Sequence, residues 1–445
     1  MKFKITPLLI LVTGLSFLFI RNIPLCFIMP LWSHGDEIGH MDYALKLNRG
    51  HFPGLTEYIE PSLFLLHKAN YDNRYLTNHP RHNIQKLDDM GLAAYSYEAN
   101  QPPFPYLIIA LFRRILSSFN VSFLLQVKLL RLLSLFAFSL GLVLIYLGMK
   151  TAKISNPFYY YPLLFIPLLA QDMYFSINTD SFAFLGGCFV IMMMILLFKN
   201  PSSMKNWILL FLGVSIALWM KATNAFYFIL WPILTVFLWN KKPNKKILLP
   251  SILFLLLAIL LSSPWYVCNK IRFSGFFGYQ FTGAPEVPYT PYALRPVSIA
   301  TLIEFVFAFI GTLFRGELLW NGRYFDVLYG WPNYIFIIIF NLFIFLVGVI
   351  SFFKYFDYSN RKISRFFIIG GIVSIFTFVF LHFTIAGIPF YHARYAFGGL
   401  CFIMFIYAAG WRRLLNSDAL SLFVPAGWLL TYNLVLTSNL ILKVI

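Results

Sequence analysis

Between Met29 and Pro102 the chain gathers Asp36, Glu37, Asp42, Glu57, Glu60, Asp72, Asp88, Asp89 and Glu98, nine of its seventeen acids, with His34, His40, His51, His67, His79 and His82, six of its eight histidines. Most of the groups able to move a proton near neutral pH therefore lie in one connecting segment, and long segments of this kind inside compact proteins are usually functional. The segment opens with Trp32-Ser33-His34-Gly35-Asp36-Glu37-Ile38-Gly39-His40-Met41-Asp42-Tyr43-Ala44. On a helix starting near Asp36, residues 36, 40 and 43 share one face, so Asp36, His40 and Tyr43 can point together into a cavity. A general base with a proton-handling neighbour needs that arrangement. The plain alternative is that the carboxylates at this helix start merely complement its dipole. A third reading, a metal centre from His34, Glu37 and His40, matches no established zinc spacing, and HExxH is absent.

Later in the segment comes Tyr97-Glu98-Ala99-Asn100-Gln101-Pro102-Pro103-Phe104-Pro105-Tyr106. The diproline imposes an extended approach to the next helix, which would hold Glu98 and Gln101 rigidly beside it; the bland reading is a turn with solvated polar residues. Charges also stand where apolar sequence makes them costly, at about 2.5 to 3.5 kcal/mol for a basic residue near mid-membrane. These are Arg131, Asp172, Asp180 in Asn178-Thr179-Asp180, Lys221, and Arg394 in Tyr391-His392-Ala393-Arg394-Tyr395. Singly, each reads as a boundary or snorkelling residue. Together, Arg131, Lys221 and Arg394 would suit an anionic lipid phosphate, which takes charge-assisted hydrogen bonds readily from arginine, and Asn178, Asp180, His392 and Tyr395 accompany them as candidate substrate-binding residues.

The elements that must position these residues are apolar. Only 12% of the 445 residues are charged and 59% are hydrophobic, against about 25% charged in soluble proteins, so the bilayer is the main solvent and the expected fold class is an all-α polytopic membrane protein. Apolar runs suited to a hydrocarbon core of roughly 30 Å occur at about Ile5 to Ile28, Leu132 to Gly148, Phe158 to Leu169, Ser181 to Phe198, Trp207 to Trp219, Ala225 to Trp239, Ile247 to Leu261, Tyr334 to Phe353, Phe366 to Phe383, Ala396 to Trp411 and Leu420 to Leu440. Two further stretches, Pro102 to Leu116 and Ser298 to Phe314, decide the topology. If Lys2, Lys4, Lys150, Lys153, Lys199, Lys205, the Lys241 to Lys246 and Lys354 to Arg365 clusters, Arg412 and Arg413 all face the cytoplasm, neither stretch crosses. Both then read as interfacial helices on the outer leaflet. About eleven spans result, in a single domain with its N-terminus inside and two large outer segments, 29–130 and 264–332.

The formal charge of +18 is spread in short clusters between apolar runs, the pattern of cytoplasmic loops, and so argues against nucleic acid as a partner. Cys26, Cys188, Cys268 and Cys401 lie in or beside apolar segments without metal-type spacing and read as packing residues. Met1 to Ile28 lacks a small-x-small cleavage site and reads as a retained first span.

A first span followed by Asp36-Glu37 with His40 and Tyr43-Ala44, then Gln101-Pro102-Pro103 leading to Arg131-Leu132-Leu133-Ser134, resembles the GT-C superfamily of membrane glycosyltransferases, which includes protein O-mannosyltransferases and lipid A aminoarabinose transferases. Asn178 to Asp180, Lys221, Pro264-Trp265 and Arg394-Tyr395 follow in a similar order. The resemblance implies a GT-C-like bundle with outer interfacial helices in a bacterial cytoplasmic membrane. It also implies transfer of a sugar from a polyprenyl-phosphate donor to a glycan, lipid or protein acceptor on the outer side. Asp36 would be the general base, Glu37 would orient it or contact a divalent metal ion, His40 would assist, and Arg131, Lys221 and Arg394 would hold the phosphate. Asp-Glu in place of Asp-x-Asp disfavours the strongly metal-dependent oligosaccharyltransferase branch. The rival readings are a polyprenyl-linked sugar flippase or transporter, with intramembrane charges lining its path, and a surface-polysaccharide polymerase or ligase.

Overall fold

A computed structural model describes residues 5–29, 31–32, 36–55, 57–72, 95–239, 245–273, 298–315, 331–354, 361–381 and 393–444. Among these the chain is helical, with no strand: α1 (Pro7–Ile28), α2 (Glu37–Asn48), α3 (Pro61–Asp72), α4 (Phe104–Ser118), α5 (Phe123–Thr151), α6 (Pro162–Phe165), α7 (Asp180–Lys199), α8 (Met204–Met220), α9 (Phe226–Leu238), α10 (Lys245–Phe273), α11 (Ile299–Arg315), α12 (Trp331–Lys354), α13 (Arg361–Leu381), α14 (Leu400–Leu415) and α15 (Asp418–Val444). Seven segments are long and apolar enough to cross a membrane: α1, α5, α7, α10, most of α13, α14 with the 3-10 turn Ala393–Gly399 before it, and most of α15. Helices α8 and α9, and the central parts of α11 and α12, are apolar but shorter.

Helices α5 and α7 run parallel, with Gly141 against Phe184 and Cys188 and, two turns on, Gly148 against Met192. Parallel neighbours need a return path along the bundle, and residues 152–179 supply it. The apolar run Phe158 to Leu169 suits a span by hydropathy alone. It is instead broken into the 3-10 turn Pro157–Tyr160, the single turn of α6 and a second 3-10 turn, Asp172–Phe175. Pro157, Pro162 and Pro167 account for the break, since each removes a backbone donor and clashes with the preceding turn. Interrupted backbone inside an apolar bundle must find other partners. Tyr160 donates to the Ile154 carbonyl at 2.8 Å, Tyr174 to Ile166 at 2.6 Å and Asn433 to Leu168 at 2.9 Å.

The bundle has two distinct ends. At one, Lys199 donates to the Thr151 carbonyl at 2.6 Å and Arg412 lies over the Phe158 ring, so Lys150, Lys153, Lys199 and Arg412 gather there. At the other, Asp180 at the start of α7 meets Lys221 just past the end of α8. Helix α4 begins and finishes at this second end. Tyr106 in its first turn touches His40, and only four residues separate Ser118 from α5, where Arg131, two turns in, is level with Glu37. Both ends of α4 therefore lie toward this end of the bundle. Close approach of Gly187 to the Gly398 carbonyl leaves no room for a Cβ, and this seats the Ala393–Gly399 turn directly on α7.

Candidate functional site

Helix α2 starts where expected, with Asp36 as its N-cap, yet the Asp36 side chain makes no capping hydrogen bond. It turns instead toward Arg394, whose Nη2 donates to Asp36 Oδ2. One turn along, buried His40 places Nδ1 at 2.9 Å from Tyr106 Oη and 4.0 Å from Glu98 Oε1. Tyr106 in turn donates to Glu98 Oε2 at 3.3 Å and stacks on Tyr43 with ring centroids 4.0 Å apart. The face formed by residues 36, 40 and 43 thus exists, and Tyr106, which carried no role in the sequence reading, ties it to Glu98. Tyr43 itself donates to the Gln101 carbonyl at 3.3 Å, and burial raises its phenol above the ordinary range.

Glu98 sits in the 3-10 turn Tyr97–Asn100, followed by Gln101 in the extended conformation that Pro102 demands. From below, Trp265 Nε1 and Asn269 Nδ2 on α10 donate to the Asn100 carbonyl at 3.3 and 2.8 Å. From the side, a polar network holds the approach to the turn. Asp42 on α2 accepts from the Glu60 amide at 2.8 Å and Ser96 Oγ at 2.5 Å and pairs with Lys46 at 3.1 Å, while Lys46 also donates to the Tyr58 carbonyl at 2.7 Å. Burial raises the Asp42 carboxyl despite Lys46 beside it. For Glu98, burial and then the negative charge of Asp36 push the carboxyl up to about 8, against the pull of Lys221 and Arg394. Burial and Asp36 thus bias Glu98 toward its protonated form.

On the facing wall Lys221 pairs with Asp180, both buried, and its ammonium lies 5.1 Å from the Tyr395 ring centroid. Arg394 stands over the same ring at 5.0 Å and donates to the Tyr395 hydroxyl at 3.2 Å. The Ala393–Gly399 turn that carries Arg394 is held by the Ala393 amide donating to Thr312 Oγ1 at 2.8 Å. Asp36, His40, Glu98, Asp180, Lys221, Arg394 and Tyr395 thus converge from elements that span the sequence. Asp36 alone of the carboxylates here keeps substantial exposure, 24% of its side chain.

Three residues expected in the site do other work. Glu37 and Arg131 are completely buried and form a two-pronged ion pair, with Arg131 Nε and Nη2 each 2.7 Å from a Glu37 oxygen. The Trp32 and Ile177 amides donate to the same carboxylate at 3.0 and 3.1 Å, and Arg131 Nη1 donates to the Met29 carbonyl at 2.7 Å. The pair clamps α1, α2, α5 and the approach to α7, which leaves Glu37 no valence for a metal or acceptor and Arg131 none for a phosphate. Asn178 likewise serves its own loop, taking the Ser181 amide at 2.8 Å and donating to the Met173 carbonyl at 2.7 Å. His392 and His34 lie outside the described residues.

The metal set His34, Glu37 and His40 loses Glu37 to Arg131. A different trio, Asp36, His40 and Glu98, has ligand atoms all within 4.8 Å of one another. Two carboxylates and an imidazole are a donor set that first-row divalent cations accept, although Arg394 already supplies positive charge to Asp36. All four cysteines are free, and Cys26, Cys188 and Cys401 are buried, as packing residues should be. The chain matches no protein-family model, no curated protein and no solved structure.

Proposed function

We propose that this protein is a membrane glycosyltransferase of the GT-C type, which moves a sugar from a polyprenyl-phosphate donor to a hydroxyl acceptor, itself a glycan, lipid or protein, on the outer side of a bacterial cytoplasmic membrane. The observation that carries the reading is the ion pair of a partly exposed carboxylate, Asp36, with buried Arg394, which shares the Tyr395 ring with buried Lys221, at the end of the bundle opposite its lysine-rich end. By the positive-inside rule the lysine-rich end is cytoplasmic, so the cluster faces outward. Eleven crossings follow if the broken 152–179 path and the shorter apolar helices α8, α9 and α12 are counted with the seven long spans and α11 lies along the outer surface.

In the resting arrangement each cation is neutralised by an acid, Arg394 by Asp36 and Lys221 by Asp180. An incoming donor phosphate competes for both cations, because guanidinium and ammonium groups bind phosphate as readily as carboxylate. Drawing Arg394 onto the phosphate releases the Asp36 carboxylate to act as a base. Asp36 then takes the acceptor proton, the acceptor oxygen bonds to the anomeric carbon, and the bond from that carbon to the phosphate oxygen breaks with its electron pair staying on the polyprenyl phosphate. Arg394 and Lys221 stabilise the charge on the departing phosphate, the kind of pre-arranged electrostatics that dominates many active sites. Protonated Glu98, steadied by Tyr106, offers a hydrogen bond to a sugar hydroxyl.

The buried, near-neutral Glu98 also favours one rival, a proton-coupled carrier of a lipid-linked sugar. Membranes containing the chain, incubated with radiolabelled polyprenyl-phosphate sugars and examined by thin-layer chromatography, separate the two. The transferase reading expects label in a new covalent product; label crossing the bilayer with its carrier intact would replace it with transport.

A further inference from the structure

On the outer flank of the bundle, beside the Glu37–Arg131 clamp, the last turn of α1 and the first turns of α5 enclose a cavity of about 390 Å³ against α3. Its walls are Phe27, Ile28, Leu66, Phe123 and Leu124, and the single charged residue among its described lining residues is Lys128. Phe27, Ile28 and Leu124 are 37%, 43% and 49% exposed on the outer surface, so the cavity opens sideways toward the bilayer and not into the bundle. Its depth is that of two helix ends, Ile28 at the end of α1 and Phe123 at the start of α5. Hydrocarbon gives way to headgroups at such a level.

The electrostatics of the cavity are lopsided. Arg131, one turn beyond Lys128, is spent on Glu37 and on the Met29 carbonyl. Lys128 is half-buried and has no acid or carbonyl partner among the described residues. An apolar cleft at headgroup depth with one uncompensated ammonium at its edge complements a molecule with a hydrocarbon chain and a single anionic group beside it. The Glu37–Arg131 pair is fully buried beside this cleft, and none of Asp36, Lys221 and Arg394 is among its described lining residues, so a phosphate resting on Lys128 lies outside the candidate reaction centre. The occupant is thereby a lipid of the bilayer and not a reacting substrate.

We propose that this cleft binds one anionic glycerophospholipid, with an acyl chain among Phe27, Ile28, Leu66, Phe123 and Leu124 and the phosphate on Lys128. The bound chain packs against Met29, whose carbonyl helps to hold Arg131, so the lipid buttresses the clamp from outside. The assignment stands independently of the transferase reading. It is tested by native mass spectrometry of the full chain released from nanodiscs of equal parts phosphatidylglycerol and phosphatidylcholine. The wild-type protein retains one phosphatidylglycerol in preference to phosphatidylcholine. Lys128→Gln lowers that preference by about fivefold, the effect expected for one lysine at the membrane surface. Lys205→Gln, which removes the same charge from the opposite end of the bundle, leaves it unchanged, and Leu124→Trp, which fills the cleft, removes the retained lipid. Equal behaviour of the Lys128 and Lys205 variants would show annular lipid only and overturn the site. Displacement of the lipid by inorganic phosphate alone would overturn the role given to the acyl chain.

Discussion

Replacing Glu37 by glutamine separates a structural clamp from a catalytic group. Glu37 accepts four hydrogen bonds, two at 2.7 Å from Arg131 and one each at 3.0 and 3.1 Å from the Trp32 and Ile177 amides. Glutamine keeps the shape but turns one acceptor oxygen into an NH2, so about half of these donors lose their partner, each at a cost of roughly 1–3 kcal/mol. It also leaves the Arg131 guanidinium, fully buried, without its counter-charge. The two costs overlap, and breaking one side of a buried pair totals about 3–5 kcal/mol. The thermal midpoint of the purified protein should then fall by on the order of 5–10 °C, read by intrinsic fluorescence in mild detergent. The paired substitution Glu37→Leu with Arg131→Met, which removes both charges together, should recover much of that loss, because an apolar pair of similar volume needs no desolvation. An unchanged midpoint in Glu37→Gln accompanied by loss of turnover would refute the clamp and return Glu37 to the reaction centre.

Further expectations follow from the same geometry. Arg394→Lys keeps the charge but loses the fork that bridges Asp36 and the Tyr395 ring, so kcat/KM should drop by about 100- to 1,000-fold with little change in thermal midpoint; steady-state kinetics with varied donor reads this. Burial and the charge of Asp36 push the Glu98 carboxyl up to about 8 in the native protein, against about 4.3 for an unfolded glutamate. The native state therefore binds more protons between those values and loses stability as pH rises through that window. Glu98→Gln should flatten this slope in a pH series of thermal midpoints, and a slope preserved in the variant would place its origin elsewhere. Lys46→Met strands the buried Asp42 and should destabilise the protein by about 3–5 kcal/mol, measured by the same unfolding assay, with partial recovery when Asp42→Asn is added. Chelator treatment should leave turnover intact, since Arg394 and Lys221 supply the positive charge that the departing phosphate needs; activity lost on chelation and restored by manganese would require a cation, for which Asp36, His40 and Glu98 are the candidate ligands.

Much of the bundle is legible from apolar runs alone, because a run such as Ser181 to Phe198 has only one low-energy form in lipid, and α7 covers it with a residue to spare at each end. Polar residues misled the reading of helix lengths. Lys128 and Arg131 suggested that the second span begins at Leu132, yet α5 starts at Phe123, since Arg131 finds its counter-charge inside the protein. In the same way Pro264, Asn269 and Lys270 trimmed a helix that continues to Phe273. At Phe158 to Leu169 the difference runs the other way: hydropathy marks one apolar run, while Pro162 and Pro167 within it and Pro157 just before it break the helix. Within the site, Asp36 and His40 were visible because helical spacing is local, and Glu98 because proline fixes its neighbour. The Glu37–Arg131 pair was not visible. Its partners are 94 residues apart, and a costly buried charge announces that a partner exists without saying which one. Tyr106 was hidden for a related reason, since a tyrosine in an amphipathic helix gives no sign of what its hydroxyl meets.

The central claim is that Asp36, held in reserve by Arg394, is the base. Turnover of the Asp36→Asn protein, assayed with a polyprenyl-phosphate sugar at saturating donor and acceptor, bears on it most directly. The account predicts a loss of roughly 100- to 10,000-fold in a protein that still folds and still binds donor, the freed Arg394 being available to its phosphate. Sugar transfer at the wild-type rate would contradict it.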